Sequence, residues 1–331
     1  MIKAIVNLLL RKPILAIYDV TKLCNQRCTM CNIPAPRSND MDPDTLVKEV
    51  AALRRFGICY VFLQGGEPLI RQDIIAVVDL FLKYHIKPTI ITNGILLVRN
   101  LAEQIAARNC NLAISIDSMK PDLFARLRGD DQLGQILHHV RDIAGLKRRG
   151  NWSITTTVTR LSTLDDVQDI ERFASDHGFM FAIRPYVFVR GVAGRKDDEL
   201  LYTWEDVHDV YAYMLERAYQ NNYLAYLLYR EHVRYIRGER LPMCDAAHYS
   251  FLMSETGRKS PCIELTGSCF TLENFRRDRR EFYHQLEACN RFTPCFYNDA
   301  REIGVLWRSK WLMLLKARQI IQQLRRYGNF F

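Results

Sequence analysis

From residue 14 onward the chain alternates short apolar runs with amphipathic stretches. Ile14-Leu15-Ala16-Ile17-Tyr18 reads as a buried strand, and similar runs recur at 58–63, 88–92, 112–116, 154–158 and 181–184. Between them the apolar positions fall at helical spacing. Asp42-Pro43 opens the first such helix, with Asp as N-cap and Pro at the first helical position, and Leu46, Val47, Val50 and Leu53 mark its buried stripe. Further helices are predicted over 71–84, 101–107, 132–149 and 164–176. Six strand–helix units with short connections predict an α/β fold with parallel strands, a partial (β/α)6 TIM-like barrel over residues 14–195.

The pattern changes after about residue 190. Residues 203–237 read as helical, with Thr203 a fitting N-cap, and form a bridge over 196–239. Residues 240–300 hold five cysteines and little periodicity. A last helix is predicted over about 302–326, inside a terminal segment 301–331, and a short amphipathic helix within 1–13.

Composition narrows the class. With 331 residues, 48% of them hydrophobic and 25% charged, the chain can bury a large core, which excludes a disordered protein. No 18-residue stretch is free of charge, which excludes a polytopic membrane protein. The net charge of +9 is confined to the two ends. Residues 1–12 carry Lys3, Arg11 and Lys12 and no acid; residues 303–331 carry Arg308, Lys310, Lys316, Arg318, Arg325 and Arg326 and no acid. The body between them is neutral. Nucleic acid is therefore a poor candidate partner. The apolar residues beside these cations (Ile2, Ile5, Val6 and Leu9; Trp307, Trp311, Leu314, Ile321 and Leu324) fit two readings. One is peripheral contact with an anionic membrane surface, the other a pair of helices capping the barrel. The first residues lack a cleavage site for a signal peptide, so the expected location is the cytoplasm, with a peripheral position at the inner membrane surface as an option.

In a reducing compartment, ten cysteines point to metal ligation or packing before disulfides. Cys24, Cys28 and Cys31 share one loop after the first strand, spaced C-x3-C-x2-C. Three thiolates on a four-iron cluster leave one iron open to a further ligand, whereas a structural zinc site calls for a fourth protein ligand nearby. With this loop, and Gly65-Gly66-Glu67-Pro68 ending the second strand, the chain resembles the radical S-adenosylmethionine (radical SAM) superfamily over about residues 14–190. Softer matches are Thr92-Asn93-Gly94, Ser115-Ile116-Asp117-Ser118, and Arg128-Gly129. Met30 stands where the family commonly has an aromatic residue near the adenine.

The resemblance implies a [4Fe-4S] cluster on Cys24, Cys28 and Cys31 and S-adenosylmethionine as cofactor. It implies that the glycine-rich turn meets the methionyl amino group. Met30, Thr92, Asn93, Ser115 and Asp117 would lie along the cofactor, and Arg128 at its carboxylate. It also implies reductive cleavage to a 5′-deoxyadenosyl radical that abstracts hydrogen from an unactivated C–H. A flavodoxin- or ferredoxin-type donor would supply the electron. Cys244…Gly257-x3-Pro261-Cys262 resembles the opening of a SPASM/twitch subdomain, and five thiols suffice for one auxiliary [4Fe-4S] cluster. The expected ligands are Cys244, Cys262, Cys289 and Cys295, with Cys269 as a substitute or a hydrogen-atom donor. Cys59 and Cys110, at the starts of strands, read as core.

The substrate stays open. The basic ends lean toward a lipid or lipid-linked molecule. A ribosomal peptide and a sugar or other small metabolite remain as alternatives, and the first strand at residue 14 leaves no room for a fused leader-binding domain. A non-catalytic iron–sulfur protein is the competing class.

Overall fold

The computed structural model describes residues 2–187, 199–281, 284–287, 295–296 and 298–327. Helix α1 (Ile2–Leu9) precedes β1 (Leu15–Thr21). Then follow α2 (Pro43–Phe56), β2 (Tyr60–Gly65), α3 (Ile74–Lys83), β3 (Lys87–Thr92), α4 (Arg99–Ala106) and β4 (Asn111–Ser115). After these come α5 (Pro121–Arg128), α6 (Leu133–Ile143), β5 (Trp152–Val158), α7 (Leu164–Asp176) and β6 (Met180–Pro185). The six strands pair in chain order and in parallel, so the expected partial barrel is present, with its helices outside.

Strand β5 shows why the barrel has two different faces. Trp152, Ile154, Thr156 and Val158 are buried on the helix side, while Ser153, Thr155 and Thr157 alternate with them and are half-buried toward the lumen. The predicted cap of α2 is formed: Asp42 accepts from the Thr45 amide at 2.9 Å.

Three features go beyond the sequence pattern. A helix, α5, stands between β4 and α6, opened by Pro121 and closed by Gly129 in the left-handed conformation. The helical bridge is two helices, α8 (Trp204–Asn221) and α9 (Tyr223–Ile236), with Thr203 and Asp206 forming a capping box on the first. The segment after it joins the barrel. Strand β7 (Ser250–Met253) pairs in parallel with β1, and β8 (Lys259–Ser260) returns antiparallel to β7 through the turn at Gly257. The sheet thus has eight strands, with the cysteine-bearing segment extending its β1 edge.

The single C-terminal helix expected over 302–326 is divided into Asn298–Arg308, Lys310–Leu315 and Ala317–Tyr327. Its last piece is pinned to the α8–α9 junction: Gln323 Nε2 donates to the Gln220 carbonyl and its Oε1 accepts from the Tyr223 amide, both at 2.8 Å.

At the other end, Asn7 lies opposite Ile2, Ile5, Val6 and Leu9 by helical period, a polar face expected to meet solvent, yet it is turned inward. Its side-chain amide donates to the carbonyls of Pro13 (3.3 Å) and Gly57 (3.1 Å), main-chain acceptors that a turn-rich corner leaves outside any ladder. Val6, Leu9 and Leu10 are exposed in consequence. No helix among the described residues is long and apolar enough to cross a membrane.

Candidate active site

The cysteine loop, Cys24–Cys31, springs from the C-terminal end of β1. Two backbone bonds zip its stem to the end of β2: Gly66 N donates to Thr21 O and Glu67 N to Leu23 O, each at 2.8 Å. That close approach explains both glycines. A Cβ on Gly66 would lie 1.9 Å from Leu23 O, and Gly65 takes φ +125° with its missing Cβ 2.2 Å from Thr21 O.

Glu67 is fully buried, and its carboxylate serves the neighbouring strand. Oε1 accepts from Leu69 N (3.0 Å) and Thr92 Oγ1 (2.6 Å), and Oε2 from Asn93 N (2.7 Å). Burial pushes its pKa up, against the pull of these donors. Asn93 then reaches back to the loop, its Nδ2 donating to Asn25 Oδ1 at 2.8 Å. Gly-Gly-Glu and Thr-Asn-Gly are therefore one hydrogen-bonded frame under the cysteines.

The far side of the loop rests on α5. Thr29 N donates to Leu127 O at 3.0 Å, Gln26 Nε2 to Asp130 Oδ1 at 3.0 Å, and a Cβ on Gly129 would sit 2.4 Å from Arg27 O. Arg128, at the end of α5, pairs with Asp117 (2.7 Å) and comes within 3.9 Å of Cys28 Sγ. Asp117 also accepts from Thr157 N at 2.7 Å. Asp117 is thus engaged by Arg128 and β5 and is buried. Arg128 keeps its buried Nε without a hydrogen-bond partner.

These parts enclose one cavity of about 410 Å³ at the C-terminal ends of the strands. Its wall includes Cys24, Cys28, Cys31, Met30, Gly65, Gly66, Glu67, Thr92, Asn93, Ser115 and Arg128, which are eleven of the thirteen residues expected for the first cluster and the cofactor; Pro68 and Asp117 are not on it. The lumen-facing Ser153, Thr155, Thr157 and Arg184 join them. Sequence reasoning did not single these out, although the alternation along β5 carried the signal. Arg184 is paired with the buried Glu302 of the C-terminal segment.

The three thiols are free, and burial pushes all of them up, Cys31 to about 11. A cationic cluster inverts that balance by binding the thiolate outright. The Gln26 amide (3.4 Å from Cys24 Sγ) and the Arg128 guanidinium are placed to stabilise the resulting negative charge. No group among the described residues converges closely enough for a single metal ion. Three thiols on one loop, all on the wall of one cavity, suit a polynuclear cluster, in which each thiolate takes a different iron. The donor set fits a [4Fe-4S] cluster with one iron open to the cavity.

The later cysteines are more scattered. Arg301 ties two of their segments together, its Nη1 donating to Pro242 O and its Nε to Cys295 O, each at 2.8 Å. Cys262 is buried in the main core, and Cys244 packs against it. Cys289 lies outside the described residues. Cys269 is exposed, sits 3.0 Å from Arg258 Nη2, and lines a separate cleft of about 220 Å³ beside Asp19 and Lys22. It is absent from the wall of the large cavity, so the geometry gives no support to a hydrogen-atom donor there. Cys110 is fully buried core, as expected, and Cys59 is half-buried at the start of β2.

Fold and site define a parallel partial barrel with a thiol-lined cavity at the carboxyl ends of its strands, suited to an iron–sulfur cluster and a small cofactor. Residues 18–174, just under half of the chain, match the model of the radical SAM superfamily, whose members use a [4Fe-4S] cluster and S-adenosylmethionine. A probable GTP 3′,8-cyclase of Thermococcus kodakarensis is 29% identical over 164 residues, 48% of this chain and 52% of that protein. The mycofactocin maturase MftC of Mycolicibacterium smegmatis is 27% identical over 207 residues, 59% of this chain and 48% of that protein. The chain thus spans about half the length of the curated relatives it matches. Among solved structures, Streptococcus suis SuiB bound to S-adenosylmethionine superposes with TM-score 0.63 at 18% identity, over 76% of this chain and 61% of SuiB. The enzyme anSMEcpe with bound AdoMet gives TM-score 0.63 at 17% identity over 87% of each chain. At those identities the likeness speaks for the fold.

Proposed function

We propose that this chain is a radical SAM enzyme that abstracts hydrogen from an unactivated C–H of a substrate held in the barrel lumen. The observation that carries the reading is the convergence of the Cys24–Cys31 loop, the Gly65-Gly66 bend, Ser115 and Arg128 on one cavity. Bound there, the cluster and S-adenosylmethionine supply a one-electron reductive cleavage that generates a carbon-centred hydrogen abstractor.

The chain's own residues do the rest. Cys24, Cys28 and Cys31 hold the cluster. Glu67 locks the ends of β2 and β3 so that the frame beneath the loop does not shift. Arg128, fixed by Asp117, places positive charge beside Cys28 on the cavity wall, where it would meet the cofactor's carboxylate. Met30, Thr92, Asn93 and Ser115 line the cofactor's side of the cavity, and the hydroxyls of β5 face the substrate. Cys244, Cys262, Cys289 and Cys295, with Cys269 as a substitute, would hold an auxiliary cluster, and a flavodoxin- or ferredoxin-type protein would deliver the electron.

The substrate we favour is a lipid or lipid-linked molecule met at a membrane surface, because the apolar and cationic terminal helices meet at the foot of the barrel. A peptide is the second reading, favoured by the similarity to a mycofactocin maturase. Anaerobic reconstitution with iron and sulfide, followed by dithionite and S-adenosylmethionine, should yield 5′-deoxyadenosine. Absence of that product from cluster-loaded protein would sink the proposal.

A further inference from the structure

A second cavity of about 290 Å³ lies at the opposite, N-terminal end of the strands. Its wall contains no charged residue: Leu8 comes from α1, Leu15 and Tyr60 from the starts of β1 and β2, and Leu306, Trp307 and Met313 from the C-terminal helices. Phe62 and Thr89, register partners on β2 and β3, line both this cavity and the catalytic one. One aromatic ring and one threonine therefore mark the boundary between an apolar chamber below and the thiol-lined chamber above.

The two basic ends of the chain, remote in sequence, meet at this lower chamber. The segments that close it expose Val6, Leu9 and Leu10 on one side and Trp311, Leu314 and Leu315 on the other, with Leu315 at 81% and Trp311 at 70% exposure. Exposed cations accompany them: Arg11, Lys310 and Arg318. Of these cations Lys310 stands at the wall itself, its Nζ 5.0 Å from the centre of the Trp307 ring, and exposed apolar residues beside cations are costly in water and complementary to an anionic amphiphile surface.

We propose that the lower cavity holds the hydrocarbon chain of an anionic amphiphile drawn from a membrane surface. Its charged head stays at the cationic rim, and its chain points past Phe62 and Thr89 toward the catalytic cavity. This rests on the radical SAM reading and adds what the substrate, or a portion of it, is made of. Charged rim and apolar shaft together select an alkyl chain with an anionic end, and exclude a free sugar from the lower chamber. The polar hydroxyl wall of β5 begins only above the boundary, at Ser153, Thr155 and Thr157.

The test uses the cluster-loaded full chain and a bromine-terminated dodecanoate, which quenches tryptophan on contact. The probe should quench fluorescence saturably, with unbrominated dodecanoate silent. Trp307→Phe, which keeps an aromatic wall, should remove most of the quenching. Leu306→Phe, which fills the chamber, should weaken the apparent affinity by about tenfold, roughly 1.4 kcal/mol. Quenching that is absent, or unchanged in Trp307→Phe, would overturn the site. The membrane source is tested separately. The chain should pellet with phosphatidylglycerol vesicles, not with phosphatidylcholine vesicles, and Trp311→Ser with Leu315→Ser should release it. Saturable quenching without such pelleting overturns the membrane source. 5′-Deoxyadenosine formation, measured on the same preparation without amphiphile, keeps the two readings apart. Cleavage without quenching overturns only the chain site, and quenching without cleavage overturns only the enzymatic reading.

Discussion

Replacing Glu67 by Gln removes no volume and one charge, so its effect isolates the hydrogen-bonded frame beneath the cysteine loop. In the native structure both carboxylate oxygens accept: Oε1 from Leu69 N and Thr92 Oγ1, Oε2 from Asn93 N. The Thr92 hydroxyl cannot reverse its role freely, because its oxygen already accepts from Gly94 N at 3.0 Å. A glutamine can keep its oxygen toward Leu69 and Thr92, but its NH2 then faces the Asn93 amide, donor against donor. The loss is one charge-assisted bond and one buried N–H left unpaired, about 2–4 kcal/mol after partial relaxation. With an unfolding entropy of about 2.1 cal/mol/K per residue, a chain of 331 residues should melt about 3–6 °C lower. Thr92→Val should still cost stability in the Glu67→Gln background, because the glutamine oxygen keeps its bond to the Thr92 hydroxyl, and a double-mutant cycle reads how far the two are coupled. The assay is calorimetry on anaerobically loaded protein, paired with 5′-deoxyadenosine formation. A Glu67→Gln protein that melts within about 1 °C of the parent would refute the frame argument.

Four other outcomes follow from the same geometry. Cys28→Ala should abolish 5′-deoxyadenosine formation and leave the barrel's far-UV circular dichroism intact; retained cleavage would remove the loop from the chemistry. Gly66→Ala must push its Cβ away from Leu23 O, 1.9 Å distant, so iron content after reconstitution should fall together with cleavage; full iron loading would contradict the zipped stem. Gly304→Ala places a Cβ 1.9 Å from Asp245 Oδ2, displacing the Asp245–Arg308 pair that seats the C-terminal helix; a cost of about 1–3 kcal/mol is expected in urea unfolding. His248 is buried, its Nδ1 has no partner, and burial together with Arg279 and Arg11 lowers its pKa from 6.5 to about 4. The folded state keeps it neutral while the unfolded chain takes up the proton. Its contribution to stability is therefore complete above about pH 6.5 and lost as pH falls toward 4, and His248→Phe should flatten the melting temperature over that window.

Much of this was legible in the sequence because it is local. Strand and helix periods mark the six units, and Asp42-Pro43 and Thr203 mark helix starts. The spacing of Cys24, Cys28 and Cys31 marks a loop built for an inorganic cluster. What the sequence hid depends on partners far along the chain. Arg128-Gly129 reads as a ligand motif by resemblance. In the fold the same pair is also a helix stop, and Gly129 is needed because the cysteine loop's Arg27 carbonyl passes where its Cβ would be. Asn7 reads as solvent-facing by helical period, yet the carbonyls of Pro13 and Gly57 pull it inside. No periodicity announces that β7 pairs with β1, since a short fully buried strand gives the same pattern on any edge of a sheet.

The charge of the chain is the clearest case of information that only the fold completes. Along the sequence it is two unrelated basic ends with apolar residues among them, equally suited to capping a barrel or touching a membrane. Folded, Leu8 from one end and Leu306, Trp307 and Met313 from the other close a single apolar chamber whose inner wall includes Phe62, a residue of the catalytic cavity. Capping alone would account for the buried members of these helices. It gives no reason for Leu9, Leu10, Trp311, Leu314 and Leu315 to remain in water beside cations, since a helix evolved only to plug a barrel can place polar residues on its outer face at no cost to the plug. The proposed amphiphile site accounts for the outward apolar face and the inward apolar shaft together.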